Sequence, residues 1–306
     1  MTTILVSGGS GFIGSYVVDR LLSDGCKVIS FDHYQSNDSV HLPERASRWL
    51  GDIRDAESVT EAMAHVDGFI HLAGVLGTQE TIGNPKPAIM TNIEGGLNVL
   101  EAAAQYDIPG VNIAVGNHWE QNPYSISKST VERLVQMYNR YRGTNVSVVR
   151  ALNAYGPRQS VAAPYGTSKV RKIIPSFVMR ALHGDPIEVY GDGSQIMDMI
   201  WVGDVADMLV DALASTMHYR EALPNVVEAG TGRDTTVLEI AQAVVKEVGQ
   251  GEIRFLPLRP GETPGAVVKA DLSTQRALYG DGFKFRSLEN GLAETVAYYR
   301  YWLEKK

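Results

Sequence analysis

With a single cysteine, Cys26, the chain has no internal disulfide and no cysteine-based metal cluster. It also has no apolar run long enough to span a bilayer. The short apolar stretch at 4–6 has no basic flank, so it does not read as a secretory signal. Basic residues are in the minority: 28 Lys and Arg against 35 Asp and Glu give a formal net charge of −7. That balance argues against a nucleic-acid partner, which needs a basic surface, although a few local Arg or Lys still suffice for a phosphate ligand. No internal repeat or low-complexity stretch is visible. These absences lead to the expectation of a cytoplasmic globular protein with no membrane segment and no metal. Its 306 residues fit one large domain or two interleaved ones.

What is present begins with a turn. The apolar residues Ile4, Leu5 and Val6 stop at Ser7, and glycines follow at Gly8, Gly11 and Gly14 before a stretch with helical spacing from Ser15. Strand, glycine turn and helix in that order suit a dinucleotide pyrophosphate. Glycines let the backbone approach the phosphates, and the helix N-terminus offers unpaired N–H groups. The spacing is G-x-x-G-x-x-G rather than the more common G-x-G-x-x-G.

The first half then alternates short apolar runs with helical stretches. Strands are expected at 3–7, 27–32, 48–51, 68–72, 111–115 and 147–151, and helices at 15–23, 56–64, 87–105 and 125–141. Runs apolar along their whole length suit a parallel sheet covered on both faces, hence a doubly wound α/β fold of the Rossmann kind. Past Gly156 the pattern breaks into Pro- and Gly-rich connections, which predicts a smaller mixed substrate-binding domain. The expected boundaries are 1–155 for the dinucleotide domain, with a return at about 196–216, and 156–306 for the second, interleaved domain.

Asp32 ends the second strand about twenty residues after the glycine turn. A carboxylate there accepts hydrogen bonds from a ribose 2′-OH and repels a 2′-phosphate, so NAD is expected over NADP; the plainer alternative is a loop cap. Asp52 and Ile53 follow the third strand, where a carboxylate and an apolar side chain suit an adenine, while Asp55 reads as the cap of the next helix. Leu72, Ala73 and Gly74 end the fourth strand, where backbone must pass close to a cofactor. His71 has no evident partner in the sequence and is expected to be structural.

Tyr124 and Lys128 stand four apart on a helix starting near Pro123, so they share one face. A tyrosine is a poor base at neutral pH, and a nearby ammonium together with a cationic nicotinamide ring would favour its phenolate. Tyr124 could then take a proton from a sugar hydroxyl while Lys128 also bonds the cofactor ribose. A second Y-x-x-x-K, Tyr165 to Lys169, lies in a Gly/Pro-rich loop without a rigid frame, so Tyr124 is preferred.

At this point the residues resemble the extended short-chain dehydrogenase/reductase family, in its UDP-glucose 4-epimerase-like branch of nucleotide-sugar epimerases and dehydratases. The resemblance rests on GGSGFIG, FDHYQSN, GDIRD, HLAG, TNIEGGLNVLEAA, PYSISKSTVE, LNAYGPRQ, VYGDGSQIMD, VGDVA and RPGE in that order. It implies bound NAD, held also by Phe12, Ile13 and Asn92, and a nucleotide sugar, expected to be a UDP-sugar, in the interdomain cleft. It implies Tyr124 and Lys128 as the catalytic pair, Asn153 and Arg259 near the diphosphate, and Arg158 either in that pocket or on the surface. It further implies a homodimer through helices at about 87–105 and 125–141. The chain departs from the family at three places. The fifth strand ends without a hydroxyl, so Asn117 or His118 takes that role or it is missing. The loop from there to Tyr124 is short. Met197 replaces an arginine, so a phosphate contact is lost or passes to Lys172 or Arg171.

Within that branch the chemistry begins with oxidation at C4. A 4,6-dehydratase also needs an acid and a base, which the family supplies as a carboxylate pair after the fifth strand. Only Glu120 lies near there in the sequence, with Glu80 in a loop, so a 4-epimerase is the preferred expectation. A dehydratase, a uronic-acid decarboxylase and a non-catalytic sensor of NAD or a sugar nucleotide remain alternatives.

Overall fold

A computed structural model describes residues 1–33, 41–259, 262–280 and 282–305. Residues 34–37 of the FDHYQSN stretch and Pro260-Gly261 of RPGE lie outside the described residues. The first half runs β1 (Thr3–Ser7), α1 (Phe12–Ser23), β2 (Lys27–Asp32), β3 (Ser47–Leu50), α2 (Ala56–Met63) and β4 (Gly68–His71). It continues with α3 (Lys86–Ala88), a π-helical segment Ile89–Glu94, α4 (Gly95–Tyr106), β5 (Gly110–Val115), α5 (Pro123–Arg142) and β6 (Val146–Ala151).

The second half is more broken. It contains β7 (Asn153–Tyr155), α6 (Ile173–His183), β8 (Ile187–Tyr190), β9 (Ile196–Met197), β10 (Met199–Trp201), α7 (Val202–Tyr219) and β11 (Val227–Ala229). Then come α8 (Val237–Val248), β12 (Ile253–Leu256), β13 (Val267–Val268), a short 3₁₀ turn, α9 (Arg276–Tyr279) and α10 (Leu288–Glu304).

Seven parallel strands form the main sheet in the order β11-β6-β5-β4-β1-β2-β3. The chain works outward from β1 to β3, then crosses to β4 and builds the other way. A crevice therefore opens at the carboxyl ends of β1 and β4, where ligands of such sheets bind. Alternation along the strands divides the core. Ile4, Val6, Ile70 and Val111 face α1 and α7, against Val17, Leu21, Leu209 and Leu213. Leu5, Phe69 and Ala114 face α2, α4 and α5, against Met63, Val99, Leu100 and Val135. Truncating one of these side chains, such as Ile70, is expected to cost about 2–5 kcal/mol.

A second core joins α6, α8 and α10 to β8 and β10 through Val178, Val189, Ile240, Val244 and Val296. Around it lie three two-stranded parallel pairs, β7 with β10, β8 with β12 and β9 with β13. The buried carboxylate of Asp198, between β9 and β10, accepts from Thr231 N at 3.0 Å, Thr231 Oγ1 at 2.5 Å, Gly232 N at 2.8 Å and Ala270 N at 3.2 Å. It thereby pins the chain where it passes between the two cores.

Two sequence expectations need correction. Helix α1 starts at Phe12, not Ser15, because Gly14 lets its first turn close onto the preceding loop: a Cβ there would stand 2.1 Å from Gly8 O. The main sheet also gains β11, three residues far along the chain that pair with β6 and lie outside the expected return at 196–216.

Candidate active site

The crevice is a cavity of about 680 Å³, within the usual size range of a small-molecule site. Its floor is the glycine turn. Gly8 has φ +72°, a left-handed conformation, and a Cβ there would stand 2.9 Å from Ala73 N, so this backbone must stay bare. Beneath it, Ser7 Oγ accepts from Leu72 N at 3.2 Å and Ala73 N at 3.3 Å. That leaves its own hydrogen for His71 Nδ1 at 2.7 Å. His71 is fully enclosed; burial, with Lys128 nearby, holds its pKa down at about 3, so the ring is neutral and structural.

At the end of β2, Asp32 lines the cavity and takes a hydrogen bond from Ser10 Oγ at 2.5 Å, which ties the carboxylate to the glycine turn. Asp52 and Ile53 line the same end. Asp52 pairs with Arg54 at 2.5 Å, and this hydrogen-bonded contact holds its carboxyl below the usual range. Asp55 caps α2 through Glu57 N and Ser58 N. Gly8, Gly11, Phe12, Ile13, Gly14, Leu72, Ala73 and Gly74 complete this wall. Asn92 does not. Its Oδ1 accepts from Val75 N at 2.7 Å, and its Nδ2 donates to Val75 O and Ser127 Oγ, so it braces the loop behind the cavity.

Tyr124 and Lys128 both reach the cavity from α5, which starts cleanly because Asn122 Oδ1 accepts from Ser125 N at 2.9 Å and Pro123 opens the first turn. Burial pushes the Tyr124 phenol above its ordinary value and brings Lys128 down to about 8. Lys128 is not among the causes of the Tyr124 shift, so the expected lowering of the phenol by its neighbouring amine is not a property of the protein alone. Tyr165 stands elsewhere, bonded to Asp185 at 2.5 Å and stacked on His183.

The remaining wall comes from the loop after β5 and from the second half of the chain. Asn117 lines the cavity, whereas His118 turns to Gly116 O and does not. Asn153 lines it while donating to Asp198 O at 3.3 Å. Arg259 lies over the Tyr190 ring, 4.5 Å from its centroid, and is held by Glu262 through its side chain and, at 2.9 Å, its backbone N–H. Arg171 and Lys172 share this wall with Met197. Arg158 is a correction. It pairs with Asp19 at 2.7 Å and covers Tyr16, so α1 holds it outside the cavity. Glu80 is exposed and lies off the cavity wall, whereas Glu120 and Glu262 both line it. Sequence reasoning included Glu262 in RPGE but gave it no role. It also missed three lining glutamines, each with a buried amide atom that has no hydrogen-bond partner among the described residues: Gln79 Nε2, Gln159 Oε1 and Gln195 Oε1. A nucleotide ligand carries the donors and acceptors such atoms want.

A bare glycine floor, a strand-end carboxylate for a ribose and an elongated wall of mixed polarity fit a dinucleotide with a second ligand beside it. The chain belongs to the NAD dependent epimerase/dehydratase family, whose model matches residues 4–116 and 116–222. It is an enzyme family acting on nucleotide sugars, and NAD is its cofactor. The chain is 30% identical to a putative UDP-glucose 4-epimerase of Methanocaldococcus jannaschii, over 85% of this chain and 87% of that protein. It is also 30% identical to the low-salt glycan biosynthesis protein Agl12 of Haloferax volcanii, over 97% and 98%. Among solved structures, UDP-glucose 4-epimerase of Thermotoga maritima with UDP-glucose superimposes with a TM-score of 0.86 at 28% identity, over 98% of this chain and 99% of that one. Nucleotide-sugar decarboxylases and dehydratases are also among its relatives.

Proposed function

We propose that the chain is an NAD-dependent nucleotide-sugar 4-epimerase, with a UDP-hexose as the first substrate to try. The observation that carries this reading is the placement of Tyr124 and Lys128 on one face of α5, inside the cavity that holds the glycine turn and Asp32. Residues 1–155 hold the cofactor in this scheme, and 156–306 supply most of the sugar-nucleotide pocket. Bound NAD+ supplies a hydride acceptor and a cationic ring that favours the Tyr124 phenolate. Tyr124 takes the proton of the C4 hydroxyl as that carbon gives up its hydride, and returns the proton to the C4 oxygen when the hydride comes back to the opposite face of the turned sugar. Lys128 holds the nicotinamide ribose. Asn117 stands at the strand end, where the family's hydroxyl is missing, and steadies the reacting oxygen. Arg259 binds the diphosphate, with Arg171 or Lys172 supplying the charge that Met197 lacks.

Incubation with UDP-, GDP- and dTDP-hexoses, read by mass and NMR, tests this reading. A product of unchanged mass with inverted C4 supports it, and no conversion of any sugar sinks it. A dehydratase is the second reading, favoured by one observation: Glu120 and Glu262 bring two carboxylates to the cavity wall. Loss of water from the product would establish it. The exposed Ile89, Met90, Ile126, Met137 and Tyr141 on the π-helical segment and α5 also support a homodimer through these helices, which sedimentation would reveal.

A further inference from the structure

The loop between β5 and α5 does more than connect them. Glu120 is half-buried on the cavity wall, and its Oε2 accepts from Asn117 Nδ2 at 2.7 Å and from Asn122 Nδ2 at 2.9 Å. Asn122 is also the cap of α5, so the carboxylate is fixed to the helix end that presents Tyr124. Its other oxygen, Oε1, has no hydrogen-bond partner among the described residues. Burial raises the Glu120 pKa, the two amides oppose this, and the Glu262 charge adds to it, so Glu120 feels a second carboxylate.

Two arginines on the same wall already have carboxylate partners, Arg259 with Glu262 and Arg171 with Glu188. Glu120 has no such cation partner among the described residues, and its two amide donors hold it in place as an anionic acceptor on the wall that Tyr124 shares.

We propose that Glu120 selects the sugar: its free oxygen accepts a hydrogen bond from a hydroxyl beside the reacting carbon, and its charge disfavours hexoses that carry a carboxylate. This inference rests on the nucleotide-sugar reading above and names the class of sugar, a neutral hydroxyl-bearing hexose rather than a uronic acid. Discrimination of this kind works through the unfavourable partner as much as the favourable one. An acceptor facing a sugar O–H gains a bond, while the same acceptor facing a carboxylate meets a like charge with no donor between them.

The test is a binding measurement, so it does not require turnover. Calorimetry on the NAD-loaded protein compares UDP-glucose with UDP-glucuronate, two ligands with the same nucleotide and diphosphate. UDP-glucose is expected to bind about tenfold more tightly or better. In Glu120→Gln, which keeps an amide able to bond Asn117 and Asn122, the ratio is expected to fall at least about threefold through tighter uronate binding. Glu120→Asp keeps the charge and should keep the preference, which separates charge from disturbance of the loop. Equal or tighter binding of the uronate by the native protein overturns the proposal, as does a ratio that Glu120→Gln leaves unchanged. The selectivity claim can fail in this way while C4 inversion of a neutral hexose still stands. If neither ligand binds, the choice of a UDP-sugar falls and takes this inference with it.

Discussion

The two ends of the cavity are built in different ways. At the cofactor end the working groups are backbone and strand-end side chains, fixed by neighbours close in the sheet: Gly8 against Ala73, Ser7 against His71, Asp32 against Ser10. At the substrate end they are charged and polar side chains, mostly on loops, and most are paired with one another: Arg259 with Glu262, Arg171 with Glu188, Asn117 with Glu120. The first end is shaped by steric limits that only glycine meets. The second is shaped by ion pairs, which a charged ligand can rearrange at modest cost where they are part-exposed. One end is therefore suited to holding a constant cofactor, and the other to being retuned for different sugars.

The largest test of that contrast concerns the residue where the two ends meet. Tyr124→Phe is expected to lower kcat by at least about a hundredfold while NAD binding stays intact. Near-native turnover would move the chemistry away from α5. Next comes the rigid floor. In Gly14→Ala the new methyl would sit 2.1 Å from Gly8 O, so the turn must shift. NAD affinity, read by calorimetry, should fall at least about tenfold; an unchanged affinity would mean the floor is as adaptable as the loops. Asp32→Ala should erode the preference for NAD over NADP by about tenfold, the scale of a hydrogen bond to a charged group. A preserved preference would place cofactor choice elsewhere. The smallest effect belongs to Arg158→Ala, expected to change KM and kcat less than about twofold and to cost at most about 1 kcal/mol of stability by thermal melting. A large rise in KM would return this arginine to the substrate pocket.

The same contrast explains what the sequence made legible. Strands β1, β4 and β5 are covered on both faces, so they read as mainly apolar runs, and helices such as α5 declare themselves by spacing and by Asn122 and Pro123 at their start. The glycine turn and the Tyr124–Lys128 pair were visible for the same reason, since their geometry is local. Arg158 was not, because its partner Asp19 lies 139 residues away and no spacing rule connects them. Asn92 fits the family motif, yet its amide is spent on Val75 and Ser127, a fact that only packing reveals. Glu262 stood inside the quoted RPGE, yet its place on the cavity wall had no signal, because a glutamate in a Pro/Gly-rich stretch carries no periodicity that says which way it faces. The short β11 gave none either.

One consequence follows from the hydroxyl of Ser7. Having accepted two backbone N–H groups, it must give its hydrogen to His71 Nδ1, which leaves the imidazole hydrogen on Nε2. With its pKa held at about 3, that ring stays uncharged in the native protein through mild acid, while the same ring in the unfolded chain gains a proton below about 6.5. Folding thus loses support from His71 as pH falls from about 6.5 towards 3, while the ring beneath the glycine turn stays uncharged over that window. A pH response of turnover near neutrality therefore originates with groups other than this ring, Lys128 with its pKa of about 8 first among them.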